Sequence, residues 1–125
     1  VPMLRNVKAA RSSTRKEILR GLERARMMMH DDLAGQYDVT AMAHTAGMSP
    51  FHFFRAFRSV HHITPHQYRL GLRLDHARRL LSTGITPAME VAVQCGFADL
   101  PSFSKAFKKR FGVPPSYARP GSRRM

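Results

Sequence analysis

Residues 47–58 of this chain, "GMSPFHFFRAFR", return at 96–108 as "GFADLPSFSKAFK", with one residue inserted after the Gly–apolar pair. Beyond the insertion, Phe53, Arg55, Ala56, Phe57 and Arg58 match Phe103, Lys105, Ala106, Phe107 and Lys108 in order. Such a repeat constrains the fold in two places at once, because one architecture must suit both copies. Each copy reads as a short helix, a turn and a second helix. The turn needs a residue that tolerates positive φ, which Gly47 and Gly96 supply. The first helix needs a small residue where it crosses the second, and Ala43 and Ala92 stand there. This is the helix-turn-helix layout, present twice.

The rest of the chain fits around that pair. Ile18, Leu22, Ala25 and Met29 recur at helical spacing and predict a helix over 15–30. In the Met27-Met28-Met29 run, the spacing favours core packing over a groove for partners. Asp38 can cap a short helix from Val39 to Thr45 that stops at Gly47. Ser49 and Pro50 form a cap followed by a first-turn proline, opening a helix over 50–61 that buries Phe53, Ala56, Phe57 and Val60. A longer helix over 65–83 follows, with Leu70, Leu74, Ala77 and Leu81 inward. After Gly84, Thr86-Pro87 begins a short helix to Gln94. Asp99 caps a further one over 100–111, burying Phe103, Ala106, Phe107 and Phe111, and Pro114-Pro115 opens a last turn near Tyr117. No stretch alternates as a strand would. The expected fold is all-α: seven helices in a bipartite domain, two helix-turn-helix units joined by a long linker helix. The expected division is a basic linker or frayed start at 1–14, a first unit at 15–64, the linker helix at 65–83, a second unit at 84–119 and a basic tail at 120–125.

Charge narrows the partner. Lys and Arg number 21 against 8 Asp and Glu, a net charge of +13. From Leu100 onward there are seven Lys or Arg and no acid, whereas Glu17, Glu23, Asp31, Asp32 and Asp38 lie in the first third. A one-sided basic surface suits a polyanion, since each cation near a phosphate releases counterions. Caps and glycines cut the chain into pieces too short for a continuous cationic membrane helix. The alternative is an RNA-binding or ribosome-associated basic helical protein, but neither an aromatic-bearing sheet nor a Gly-rich clamp loop is present.

No enzyme is expected. There is no P-loop, no nucleophile elbow and no HExxH motif. His61, His62 and His66 are near one another, but no Cys or acid beside them completes a tetrahedral set, so no metal and no cofactor is expected. With Cys95 the only cysteine, no internal disulfide is possible, which fits a reducing cytoplasm, and Cys95 reads as a small core residue.

Subtracting the buried set from the second helix of each copy leaves two reading faces. On the first they are Phe51, His52, Phe54, Arg55 and Arg58; on the second, Leu100, Pro101, Ser104, Lys105, Lys108 and Lys109. Such a helix fits the major groove of duplex DNA. Arg55 and Lys105 sit mid-helix, where a cation reaches guanine O6 and N7. Ser104 can bond a base edge or a phosphate. Phe51 and Phe54 suit thymine methyls, unless one is partly buried against the next helix. His52, Arg58, Lys108 and Lys109 are placed for phosphates, which set register without reading sequence.

The run "GFADLPSFSKAFKKRFGVPPSYAR" (96–119), with "MSPFHFFRAFR", "TPHQYRLGLRLDHARRLL" and "EVAVQCGF", resembles the DNA-binding domain of the AraC/XylS family of bacterial transcription regulators, over roughly residues 15–119. The resemblance implies a long helix joining the two units rigidly, an asymmetric promoter site spanning two successive major grooves, and transcriptional control, more often activation through RNA polymerase. It assigns the groove-contacting places to Phe51, Phe54 and Arg55, and to Leu100, Pro101, Ser104 and Lys105. His62 stands where the second copy carries Gly112, and Ala88 stands where a larger aliphatic is usual. Leu100 and Pro101 offer no side-chain hydrogen bond to a base, so the second unit should lean more on Ser104, Lys105 and phosphates. The basic start favours a preceding effector-binding or dimerising domain.

Overall fold

The computed structural model describes residues 2–121, and side chains from Thr14 onward. The order is α1 (Pro2–Asp31), α2 (Val39–Ala46), α3 (Pro50–His61), α4 (Pro65–Ser82), α5 (Ala88–Gln94), α6 (Leu100–Phe111) and a 3-10 turn (Pro115–Ala118). No strand occurs among the described residues, so the chain is all-α. The helix expected over 15–30 is the second half of α1, which takes in most of the 1–14 stretch read as a linker or frayed start. No glycine or further proline interrupts it before Gly21, and Pro2 suits a first turn, where its missing N–H costs nothing. The tail 120–125 lies outside the described residues from 122 on.

The chain divides into two compact units. One comprises the residues up to Asp31 with Tyr37–His66; the other comprises Asp32–Gln36 and the chain from Gln67 on. In the first unit, α1 buries Leu22, Ala25 and Met29, α2 buries Met42, Ala43 and Ala46, and α3 buries Phe53 and Phe57. Of the methionine run, only Met29 is fully enclosed; Met27 is exposed. α1 approaches the end of α2 closely at Gly21. Three residues on, Arg24 donates from Nε to the Thr45 carbonyl (3.1 Å) and from Nη2 to the Ala46 carbonyl (3.2 Å). Those bonds occupy carbonyls that a helix end leaves without intrahelical partners.

The second unit repeats the plan. α4 lends Leu74, Ala77 and Leu81 to a core with Val91, Ala92 and Cys95 of α5 and its end, and Phe103 and Phe107 of α6. The stripe Leu22-Ala25-Met29 therefore has the spacing and the role of Leu74-Ala77-Leu81. The repeat is three helices long in each unit, not two, and α4 is as much the first helix of the second unit as a linker. Ala88 is half-buried against this core. The loop 32–36 is held by α4: Arg69 Nη2 donates to the Gly35 carbonyl, and Arg73 donates to Leu33 (2.6 Å) and Gly35 (3.2 Å) carbonyls. Arg110 of α6 makes a two-pronged contact with Asp75 of α4, both bonds 3.0 Å. Arg119 ties the 3-10 turn to the Thr86 carbonyl at 2.7 Å.

Helix ends follow the chemistry expected of them. Asp38 accepts from the Ala41 N–H, Ser49 from His52 (3.2 Å) and Asp99 from Ser102 (2.7 Å). Gly47 and Gly112 close α2 and α6 in the left-handed region. His62 closes α3 there too, at φ 65°, with its N–H on the Arg58 carbonyl at 2.8 Å; Gly112 matches it on Lys108 at 2.8 Å. A Cβ at Gly112 meets nothing within 4 Å, so Gly112→Ala isolates the conformational cost. It should destabilise by about 1 kcal/mol, and His62→Gly should stabilise by about half that once the freer unfolded chain is counted. Urea denaturation midpoints measure both; a neutral Gly112→Ala would contradict the left-handed cap.

Candidate nucleic-acid interface

The outward faces of α3 and α6 superimpose in sequence at an offset of fifty. Phe53 and Phe57 are buried at the positions of Phe103 and Phe107, Ala56 and Ala106 are half-buried, and Arg55 and Lys105 are exposed. Each pair of buried rings packs at a centroid distance of 5.7 Å. A third ring follows one turn on, His61 at 4.4 Å from Phe57 and Phe111 at 4.6 Å from Phe107. Because a helix buried along one side must present the other, these aromatic ladders fix which side chains face outward. Val60, expected inside, is instead 43% exposed. It occupies the position of Arg110, on the rim of the buried stripe.

On α3 the outward side chains are Phe51, His52, Arg55 and Arg58, while Phe54 is half-buried. Phe51 is 72% exposed, and the Arg55 guanidinium lies over its ring, 5.5 Å from the centroid. On α6, Pro101, Lys105, Lys108 and Lys109 are exposed and Ser104 is half-buried. Leu100 packs partly against the core of its unit, leaving less of it for a ligand. The faces thus differ in chemistry: aromatic and guanidinium on α3, lysine on α6. The stacking of Arg55 on Phe51 was not anticipated, although an aromatic four residues before an arginine on a helix is its signature in sequence.

The supports of this surface are electrostatically quiet. Backbone and side-chain hydrogen bonds from Ser102 hold the Asp99 carboxyl below the usual carboxylate range. A depressed carboxylate stabilises above its unfolded pKa and loses that contribution as pH falls through the folded one, so the α6 cap is intact at neutral pH. Burial, then Arg26, holds His61 below the ordinary histidine value, so its ring packs on Phe57 uncharged. Burial pushes the Cys95 thiol up to about 11, which makes it an inert core group rather than a nucleophile. Among the described residues, no group of three or more His, Cys, Asp or Glu is gathered to hold a metal, and no helix is long and apolar enough to cross a membrane.

Known proteins similar to this chain include transcription regulators. The family model described as a helix-turn-helix domain matches residues 42–120. Among the relatives, the HTH-type transcriptional regulator GbdR of Pseudomonas aeruginosa is 36% identical over 94 residues, 75% of this chain and 26% of GbdR. The chain spans well under half the length of the curated relatives first matched. Among solved structures, the DNA-binding domain of AdpA in complex with a target DNA is 33% identical with a TM-score of 0.74, covering 78% of this chain and 88% of that one. An AraC-type regulator from Chromobacterium violaceum is 25% identical with a TM-score of 0.77, covering 85% and 95%. With its two helix-turn-helix units and these relatives, the chain belongs to the AraC-type helix-turn-helix family of DNA-binding transcription regulators.

Proposed function

We propose that α3 and α6 enter successive major grooves of an asymmetric promoter site in duplex DNA, and that the bound protein regulates transcription, chiefly by activation through RNA polymerase. One observation carries this reading: two helices with the same buried ladder present matched cations, Arg55 and Lys105, at the same outward position. Phe51, Phe54 and Arg55 contact bases from the first unit, and Pro101, Ser104 and Lys105 from the second; Leu100 adds only what its packing leaves exposed. His52, Arg58, Lys108 and Lys109 take phosphates. The relatives' greater length supports a further effector-binding or dimerising domain in the whole protein, acting with the DNA in a bacterial cytoplasm.

The test begins with sites selected from random duplex DNA. Protection should fall in two segments one helical turn, about 34–36 Å, apart on one face of the duplex. Lys108→Ala should weaken binding about equally on all duplex sequences and make the logarithmic salt slope shallower by about 0.9, as loss of one phosphate contact requires. An unchanged slope would remove Lys108 from the backbone, and stronger binding to RNA than to any duplex DNA would favour the RNA alternative.

A further inference from the structure

We infer that Phe51 and Arg55 act as one reading unit for a C5-methylated pyrimidine beside a guanine, whether the pyrimidine is thymine or 5-methylcytosine. The inference rests on α3 lying in the major groove, as proposed above. Three observations point to it. Phe51 is 72% exposed, so α3 offers an apolar ring on its outward face. The Arg55 guanidinium carbon lies 5.5 Å from the centre of that ring, within reach of a cation–π attraction that favours keeping the two side chains together before any DNA is bound. Between them, Phe51, His52, Arg55 and Ala56 line a shallow hollow, mostly apolar, on the outward side of α3.

In the major groove the only apolar group on a base edge is the C5-methyl of a pyrimidine, and the best bidentate acceptor for a guanidinium is guanine O6 with N7. Since Phe51 and Arg55 are in contact, they address neighbouring positions rather than separate ones. The methyl seats against the ring while the fork reaches the adjacent guanine. A methyl on cytosine occupies the same place as that on thymine, so the unit recognises the methyl and not the base that carries it. The second unit lacks the device: the same positions on α6 are Pro101 and Lys105, with neither an aromatic face nor a planar fork.

The test uses a duplex site selected by the protein itself. At the pyrimidine–guanine step read by α3, replacing thymine with deoxyuridine should weaken binding about three- to fivefold, the effect of one buried methyl. With cytosine at that position, methylation at C5 should restore affinity by about the same factor. Phe51→Ala, a change at an exposed side chain, should bring thymine, deoxyuridine, cytosine and 5-methylcytosine within about twofold of one another while leaving thermal stability unchanged. Recovery with thymine alone would restrict the unit to that base and overturn the methyl reading. Sequence-selected binding that ignores deoxyuridine at every thymine beside a guanine would also overturn it, with the major-groove proposal still standing. A failure to select any duplex sequence would overturn both.

Discussion

Gly21→Ala should cost the protein about 2–3 kcal/mol, the reverse of what the same change does in most helices. Glycine inside a helix is ordinarily worse than alanine by about 1 kcal/mol, so the substitution usually stabilises. Here a Cβ on Gly21 would lie 2.3 Å from the Ala46 carbonyl oxygen and 3.2 Å from its carbon. Both atoms are backbone, so relief requires α1 to move away from the end of α2. That movement would also lengthen the Arg24 bonds to the Thr45 and Ala46 carbonyls and disturb the turn at Gly47 that aims α3. Overpacking of this kind costs about 1–3 kcal/mol, and no side chain can rotate to relieve it. Gly71→Ala is the control. It is also buried in a helix, but the three atoms nearest the new Cβ all belong to the Arg110 guanidinium, the closest at 3.0 Å, a side-chain end that can shift slightly along its exposed bonds to Asp75. Thermal and urea unfolding should show Gly71→Ala close to neutral and Gly21→Ala strongly destabilised. A tolerated Gly21→Ala would mean that α1 does not approach α2 as described.

That close approach marks where sequence reasoning stops. The repeat, the caps at Asp38, Ser49 and Asp99, and the glycine turns were legible because each depends on a few neighbouring residues. His62 in the left-handed region was legible by alignment with Gly112. The stripes Ile18-Leu22-Ala25-Met29 and Leu70-Leu74-Ala77-Leu81 are both readable, yet their equivalence emerges only once each packs under a helix pair. Charge was least legible. Arg24, Arg69, Arg73, Arg110 and Arg119 count toward the net +13, but their guanidinium groups hold carbonyls or Asp75 of the protein itself, some at its surface. A carbonyl does not cancel a guanidinium's charge, so these arginines still add to the field, but their heads are tied to the fold rather than free to follow phosphates. Val60 misled because its spacing fits the buried stripe, while the width of the covering helices decides where burial ends. Leu100 was read as outward from the helix start alone; its packing on the core is a tertiary contact.

Removing both mid-helix cations should strip most of the sequence preference without unfolding the protein, leaving what Phe51 and Ser104 still read. Arg55 and Lys105 are exposed, so neither substitution creates a cavity or strands a buried partner. On a selected site, Arg55→Ala should cost about 2–3 kcal/mol and Lys105→Ala about 1–2 kcal/mol, within the range for a base-reading cation. The difference follows from chemistry: Arg55 offers a planar fork beside Phe51, whereas lysine is a compact point charge. The two residues sit on different helices of different units, so the losses should add, lowering affinity by about two to four orders of magnitude. Conservative exchanges separate charge from geometry. Arg55→Lys should lose most of the guanine preference and little of the salt dependence, while Lys105→Arg should keep binding and sharpen preference at its base. Affinity on random duplex should fall far less than on the selected site, because phosphate contacts from Arg58, Lys108 and Lys109 persist. Unchanged specific binding by the double variant would place the reading surface elsewhere than the outward faces of α3 and α6.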